Sequence, residues 1–302
     1  MIKIFKLRNC RDIQSLTYLV AQPALVAYVW LHGLQSVLSW LCFFLTLMLS
    51  LGVSVIHHNH CHLRMWHNKY LNRYTDFYLS ILQGHPTFVF YPSHNANHHR
   101  YHHGVKDVAR TYQFKAGDTN HLWGYLTHPF QACWVLYPLF IRWLVRLRRN
   151  HPRVFYYYMM QYIAVFAVDG VLIYINATHF LYFVLLVQLH GLHWLLATNY
   201  LQHAHADGGS RINFARNFEG WVNPVYFNIG LHTAHHKHGR LHWSKLPERH
   251  LIYRPHIHSK MLAGPLLAYM FRTYFLSMWH KKHRSTSLMN PPSSGVTNAH
   301  SI

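Results

Sequence analysis

Charged side chains are scarce in this chain, and acidic ones are the rarest. Of its 302 residues, 8 are Asp or Glu and 28 are Lys or Arg, so that charged residues make up 12% of the sequence. Disordered chains are rich in charge and poor in aromatic residues, whereas Phe, Trp and Tyr reach 16% here. The composition therefore excludes a largely disordered protein.

Cysteine is also rare. The four cysteines are widely separated, and none belongs to a Cys-x-x-Cys motif; they are Cys10, Cys42, Cys61 and Cys133. Disulfide scaffolds and cysteine-ligated zinc or iron–sulfur sites need closely or regularly spaced cysteines. The sequence predicts neither kind of site.

Lys and Arg are absent from two long stretches, residues 13–63 and 154–210, although the formal net charge is +20. A nucleic-acid-binding protein would not carry two such apolar, charge-free blocks, and we therefore expect no nucleic-acid partner. A membrane protein that collects its basic residues on the cytoplasmic side has this distribution.

Each block is long enough for two membrane crossings, because about 20 helical residues span the hydrocarbon core. The predicted crossings are residues 16–31, 34–56, 154–175 and 180–200. The two hairpin tips, near His32 and near Asn176, lack Lys and Arg. By the positive-inside rule, both termini and the long polar segments then lie in the cytoplasm.

Two further apolar stretches, 122–145 and 261–279, contain Arg and predict helices that lie in the membrane interface. Residues 285–302 are rich in Ser, Pro and Asn and predict a disordered tail. The sequence therefore predicts an all-α integral membrane protein with one domain over residues 1–284. Its four transmembrane helices would form two hairpins under a cytoplasmic helical cap. Such a multi-pass protein would lie in the inner membrane of a bacterium or the endoplasmic reticulum of a eukaryote.

Histidine is unusually abundant: 31 His residues outnumber Lys and Arg together. Four groups of His residues flank the hairpins, at residues 57–62, 94–103, 203–205 and 232–236. In the last group, HTAHH, the three His fall within one helical face, because each residue turns about 100°. Clustered neutral imidazoles suit zinc, copper, iron or nickel. We therefore expect a metal centre in the cytoplasmic cap.

These groups resemble the three histidine boxes of the membrane-bound fatty acid desaturase and hydroxylase superfamily, which includes the alkane monooxygenases. The chain shows HNHCH at 58–62, HNANHH at 94–99 and HTAHH at 232–236. NYLQH at 199–203 is similar to the additional His-bearing motif of the superfamily. The order of hairpins and boxes also agrees, and the resemblance covers about residues 16–260.

The resemblance implies a centre of two Fe²⁺ ions with nine His ligands and O2 as co-substrate. The ligands that it implies are His58, His62, His94, His98, His99, His203, His232, His235 and His236. It further places Asn199 where a relative's residue reaches an iron through water.

Two boxes leave alternatives open. In the first, Asn59 replaces an acidic residue that many relatives carry, and His57 and His67 each offer a second spacing with His62. In the second, His102 and His103 form a rival HxxHH with the preceding His99. Metal-bound His usually donates its other ring N–H to a carboxylate or carbonyl; the candidate carboxylates are Asp107, Asp207 and Glu219.

The implied reaction is O2-dependent desaturation of a fatty acyl chain, borne by a lipid, CoA, a carrier protein or a free acid. Hydroxylation of an alkane or fatty acid and alkene-forming decarboxylation use the same chemistry and remain alternatives. A His-rich metal transporter is the alternative of another class, although it should place its ligands at mid-membrane. The chain has no haem-attachment, dinucleotide-binding or four-cysteine motif, so an external ferredoxin- or cytochrome-type electron donor is implied. Membrane lipid is the remaining expected partner.

Overall fold

The computed structural model describes residues 5–114 and 118–289 and is mostly helical, at 72%. The α-helices are α1 (Asp12–His32), α2 (Val37–His62), α3 (Lys69–Gln83), α4 (His99–Tyr101), α5 (Leu122–Asn150), α6 (Pro152–Phe180), α7 (Leu186–His203), α8 (Val222–Val225), α9 (His232–Lys237), α10 (Leu246–Tyr253), α11 (Leu266–Met270) and α12 (Ser277–Trp279). Segments of π-helix cover Tyr91–His98, Leu181–Leu185 and Phe271–Leu276. Two-residue strands β1 (Asn217–Phe218) and β2 (Leu262–Ala263) pair in parallel.

The helices α1 and α2 form a tight hairpin where the first predicted tip lies. Gly33 ends α1 at φ 61°, a positive-φ conformation that glycine adopts without strain. Ser36 then caps α2, since its side chain accepts a hydrogen bond from the N–H of Ser39 at 3.1 Å. The absence of a side chain at Gly52 lets the two helices lie close together. A Cβ at this position would come within 2.4 Å of the Tyr18 ring.

The helices α6 and α7 form one helical run that is broken at the second predicted tip. Asn176 leaves the helical region, at φ −161° and ψ 98°, and its side chain accepts a hydrogen bond from the N–H of His179 at 2.9 Å. Asn176 thus caps the helix that follows. Beyond this break, α7 packs against α2 and α5, whereas α6 packs against α3 and α5.

Among the described residues, two helical runs are long and apolar enough to cross a membrane, Val37–His62 and Pro152–His203. Their positions agree with the two charge-free blocks of the sequence. The predicted count of four crossings adds α1 and divides the second run at Asn176, and it stays a prediction.

The helix α5 covers the first stretch predicted to lie in the membrane interface. It carries large exposed apolar side chains every three or four residues along one face; they are Trp123, Leu126, Phe130, Trp134, Tyr137, Ile141 and Val145. Its opposite face packs against α6 and α7. The second such stretch, 261–279, contains β2 and the helical segments from Leu266 to Trp279.

Two buried clusters join the long helices to the segments that follow α7. One joins α1, α2 and α3 to the segment around Trp243, and the other joins α5 and α7 to Phe218 and Tyr274. Each large apolar side chain buried in this way contributes about 1.5–3 kcal/mol. The metal-ligand candidates lie at the end of α2, on the π-helical segment Tyr91–His98 and the residue after it, at the end of α7, and on α9.

The start of the predicted disordered tail contacts the domain. Ser287 donates a hydrogen bond to Asp118 at 2.6 Å, and the N–H of Leu288 donates to the carbonyl of His205 at 3.0 Å. The rest of that predicted tail, 290–302, lies outside the described residues.

Candidate metal centre

Nine His side chains from four segments of the chain converge in two adjacent groups. The five-histidine group consists of His58, His62, His94, His99 and His235. The four-histidine group consists of His98, His203, His232 and His236. Within each group, one ring nitrogen from every residue lies within 4.8 Å of all the others. The nine are the residues that the resemblance implied.

Local helix geometry aims these side chains. His58 and His62 are four residues apart at the end of α2 and therefore share one face. His94 and His99 lie on a π-helical turn, in which the N–H of His99 donates to the carbonyl of His94. This wider turn places residues five apart on one side, and π-turns are frequent at functional sites.

Each pair of consecutive His residues is divided between the two groups. His98 belongs to the four-histidine group and His99 to the five-histidine group; His236 and His235 are divided in the same way. Successive helical side chains point about 100° apart, so a helix that passes between two ions can serve both. The groups are in contact, since the rings of His99 and His236 are 4.4 Å apart between centroids.

The ring nitrogens approach one another as ligands of one ion do. His94 Nε2 lies 2.7 Å from His58 Nε2 and 3.0 Å from His99 Nε2. In the other group, His232 Nε2 lies 2.9 Å from His203 Nε2 and 3.0 Å from His236 Nε2. Metal–imidazole bonds of about 2.1 Å at right angles separate neighbouring nitrogens by about 3.0 Å. The donor set therefore fits two first-row metal ions.

Hydrogen bonds at Nδ1 turn several rings so that Nε2 faces the groups. His98 Nδ1 donates to Asp107 at 2.6 Å, and His203 Nδ1 donates to the carbonyl of Phe214 at 2.8 Å. His98 Nε2 is buried and has no hydrogen-bond partner among the described residues. A carboxylate or carbonyl behind the ring is the usual arrangement around a metal-bound His.

In the first histidine box, a side-chain amide accepts the hydrogen bond that orients the ring of His58. His58 Nδ1 donates to the side-chain oxygen of Asn59 at 3.0 Å. Asn59 stands where many relatives carry an acid, and its carbonyl oxygen can accept the same hydrogen bond without a negative charge.

Burial keeps these imidazoles neutral. Desolvation, and then repulsion from neighbouring imidazoles, lowers the pKa well below its ordinary value at His94, His232, His235 and His236. The same causes lower the pKa of His99 to about 2. Neutral imidazole is the form that binds metal, so the site is ready for ligation across the physiological pH range.

Asp107 stays ionised beside them. Burial alone would raise the pKa of its carboxyl, but hydrogen bonds from the His98 ring and from two backbone N–H groups lower it. The other two predicted carboxylates do not contact the ligand groups in the described structure. Asp207 accepts a hydrogen bond from the N–H of Gly209, and Glu219 pairs with Arg254.

The structure places the alternative histidines outside the two groups. His57 is buried against His85, with the two rings stacked at 5.1 Å, and His67 is exposed. The helix of the second box ends at Tyr101, and His102 and His103 adopt φ of 44° and 68°. This change of direction turns the His102 ring onto Phe214, with the two rings stacked at 4.5 Å between centroids.

Asn199 lies one helical turn before His203 and faces α5 and the loop before it. Its Nδ2 donates to the carbonyl of Ala109 at 2.8 Å and lies 3.4 Å from His128 Nε2. His205 points away from both groups, since its ring contacts Ser285 and the carbonyl of Asp118.

A largely apolar cavity of about 420 Å³ ends at the histidines. Its inner end is formed by His58, His94, His98 and His232, and its walls come mainly from α5, α7 and residues 84–93, with Tyr162 and Phe166 contributed by α6. The volume lies in the usual range of small-molecule sites, about 300–1,000 Å³. The arrangement can hold an apolar molecule against a metal centre.

Sequence reasoning missed three residues around this site. His128 is buried in α5 and lines the cavity, as does His85 after α3. Arg216 is fully buried and donates hydrogen bonds to the carbonyls of Leu201 and Ala204, on either side of His203. No spacing pattern marks these residues, because only the packing of distant segments brings them to the site.

Comparison with known proteins agrees with this geometry. The sequence model described as fatty acid desaturase matches residues 34–282, which is more than half of the chain. No curated protein sequence matches the chain significantly. The matched region contains all nine of the clustered histidines and the walls of the cavity.

Proposed function

The chain belongs to the fatty acid desaturase family, and from that premise we propose that it is an O2-dependent diiron membrane oxidase that desaturates a fatty acyl chain. The family and the clustered histidines support a fatty acid oxidase in general. The observation that carries the proposal is the cavity, because its apolar walls lead directly to both histidine groups.

The nine histidines are assigned as the iron ligands, with the five-histidine group holding one ion and the four-histidine group the other. The separations of about 3 Å between ring nitrogens support this assignment. When bound, two ferrous ions supply the O2 chemistry that an unactivated C–H bond requires. Asn199 faces the same cavity and is assigned a water-mediated contact with the site.

The protein's own contribution is to position the chain and exclude water. Leu136, Phe140 and Leu196 are among the apolar residues that surround the cavity, so a methylene chain fits there without unpaired polar partners. At the inner end, His98 and His232 are buried, and Asp107 holds the first of these rings in place. Holding the reacting carbon in one place removes much of the entropic cost of the reaction.

The proposed topology has four crossings, formed by α1, α2 and the two halves of the run from Pro152 to His203, with both termini in the cytoplasm. The charge-free hairpin tips support this orientation. The histidine groups then lie on the cytoplasmic side, where an external ferredoxin- or cytochrome-type donor can reach the cap. The substrate is a fatty acyl group, and the family is membrane-bound.

Gas chromatography–mass spectrometry of a host's fatty acids and volatiles tests the reaction. Expression of the protein should produce an acyl chain with a new double bond, and expression of a His232→Ala variant should not. A hydroxylated chain would identify a hydroxylase, and a terminal alkene shorter by one carbon would identify a decarboxylase. Unchanged lipids together with bound zinc would instead favour a metal-binding membrane protein.

A further inference from the structure

The cavity beside the histidines has one exposed rim. Among its lining residues, all of which are described, only Tyr137 of α5 and Phe166 of α6 are exposed, at 62% and 67%. A side chain that faces the cavity and also lies on the outer surface marks a mouth. The cavity therefore opens sideways, between α5 and α6.

The opposite end of the cavity is covered by the cap. Behind the histidines, His103, Asp107 and Phe214 are fully buried. The hydrogen bond from Asn199 to the carbonyl of Ala109 joins α7 to the loop before α5. In the described part of the cap, the residues that line the cavity are buried or half-buried, so the passage to the outside lies at the rim.

The surface around the rim is apolar. Trp134 and Ile141 of α5 and Ile163 of α6 are exposed and flank the two rim residues along their helices. Lys and Arg are absent from α6, apart from its start, and from α5 before Arg142. A contiguous exposed apolar surface of this kind faces lipid or a partner, and the proposed topology gives lipid.

We propose that the substrate chain enters sideways from the bilayer, between α5 and α6, and that the substrate is an acyl chain of a bilayer-resident lipid. This inference rests on the proposed function. It adds the path by which the acyl chain enters and the kind of molecule that bears the chain. A lipid can keep its headgroup at the interface while its chain bends into the cavity. A chain on a carrier protein would instead have to pass a polar carrier group along the apolar rim, and desolvating such a group without hydrogen bonds is unfavourable.

Photolabelling of the purified protein without an electron donor tests the route without any turnover. The protein is reconstituted in phosphatidylglycerol vesicles that contain a phospholipid with a diazirine in its acyl chain. A parallel sample receives the same acyl group on acyl carrier protein, added from outside. Adducts are scored by mass spectrometry at Ala132 and Leu136, because both line the cavity and are only 5% and 8% exposed.

The phospholipid should label these two buried positions, and the carrier-borne chain should label them far less. A matched pair of variants tests the mouth itself. Phe166→Gln should lower the labelling about tenfold, because an alkyl chain must displace the solvation of an amide as it passes. Ile163→Gln, on the same helix but outside the cavity, should leave the labelling unchanged.

Stronger labelling from the carrier-borne chain, equal effects of the two Gln variants, or no labelling of Ala132 and Leu136 from either source would overturn the sideways route. The proposed function would survive any of these results if the expressing host still formed an unsaturated chain. If the phospholipid labels the cavity and no oxidised lipid forms in the host, the route stands and the proposed function fails.

Discussion

Substitution of Asp107 by Asn should selectively weaken one of the two metal sites. One carboxylate oxygen accepts hydrogen bonds from His98 Nδ1 at 2.6 Å and from the N–H of His103 at 2.7 Å, and the other accepts from the N–H of Ala109 at 2.8 Å. Asparagine offers one oxygen and one NH2 group. In either orientation, the NH2 group faces at least one N–H donor.

The size of the effect follows from what His98 must then do. If the amide nitrogen faces its ring, His98 can regain a hydrogen bond only by moving its proton to Nε2, the atom that faces the four-histidine group. A protonated Nε2 cannot bind metal. Loss of such a supporting hydrogen bond costs about 10–100-fold in metal affinity, which corresponds to about 1.4–2.8 kcal/mol.

Iron titration of the purified protein with elemental analysis measures this loss. At a free-iron concentration just sufficient to fill both wild-type sites, Asp107→Asn should bind close to one ion per chain while the wild type binds two. Asp207→Asn is the matched control, because Asp207 supports a turn and touches none of the clustered histidines. If Asp107→Asn bound both irons with wild-type affinity, the orienting role of the carboxylate would be refuted.

The remaining predictions concern the ligand set and the topology. Protein purified without added metal should contain two irons per chain, since nine convergent imidazoles overfill one ion; one zinc and no iron-dependent activity would contradict this. His203→Ala should abolish product and lower bound iron, because His203 Nε2 lies 2.9 Å from His232 Nε2. His205→Ala should leave product formation and bound iron within a few-fold of the wild type. Asn199→Ala should give values between those of the His203→Ala and His205→Ala variants. Reporter fusions after Asn150 and after Lys260 should both read cytoplasmic, whereas a split result would mean that α5 crosses the membrane.

Much of the fold follows from patterns that act locally. The absence of Lys and Arg from two stretches of the sequence identifies the two long apolar blocks. Each block is divided at its predicted hairpin tip, since Gly33 and Asn176 adopt backbone conformations that end helices. The family was identified correctly from the histidine spacing. In the second box, spacing alone could not exclude His102 and His103, because it does not show that the helix stops at Tyr101 and that both residues adopt positive φ.

The division of the histidines between two groups could not be predicted from spacing. It depends on the π-helical turn of Tyr91–His98 and on how α9 approaches that turn from a distant part of the chain. The cavity was beyond prediction for the same reason. Periodicity predicts that α5 is amphipathic, but it does not say that the buried face of α5 forms a wall opposite α6 and α7.

The two groups differ in a way that bears on their metal affinity. The four-histidine group has one imidazole fewer, but its rings are backed by the ionised Asp107 and by the carbonyl of Phe214. The described support of the five-histidine group is the neutral amide of Asn59. A carboxylate behind an imidazole makes the ring a stronger donor. The loss of Asp107 should therefore lower the metal affinity of the four-histidine group and leave that of the five-histidine group unchanged.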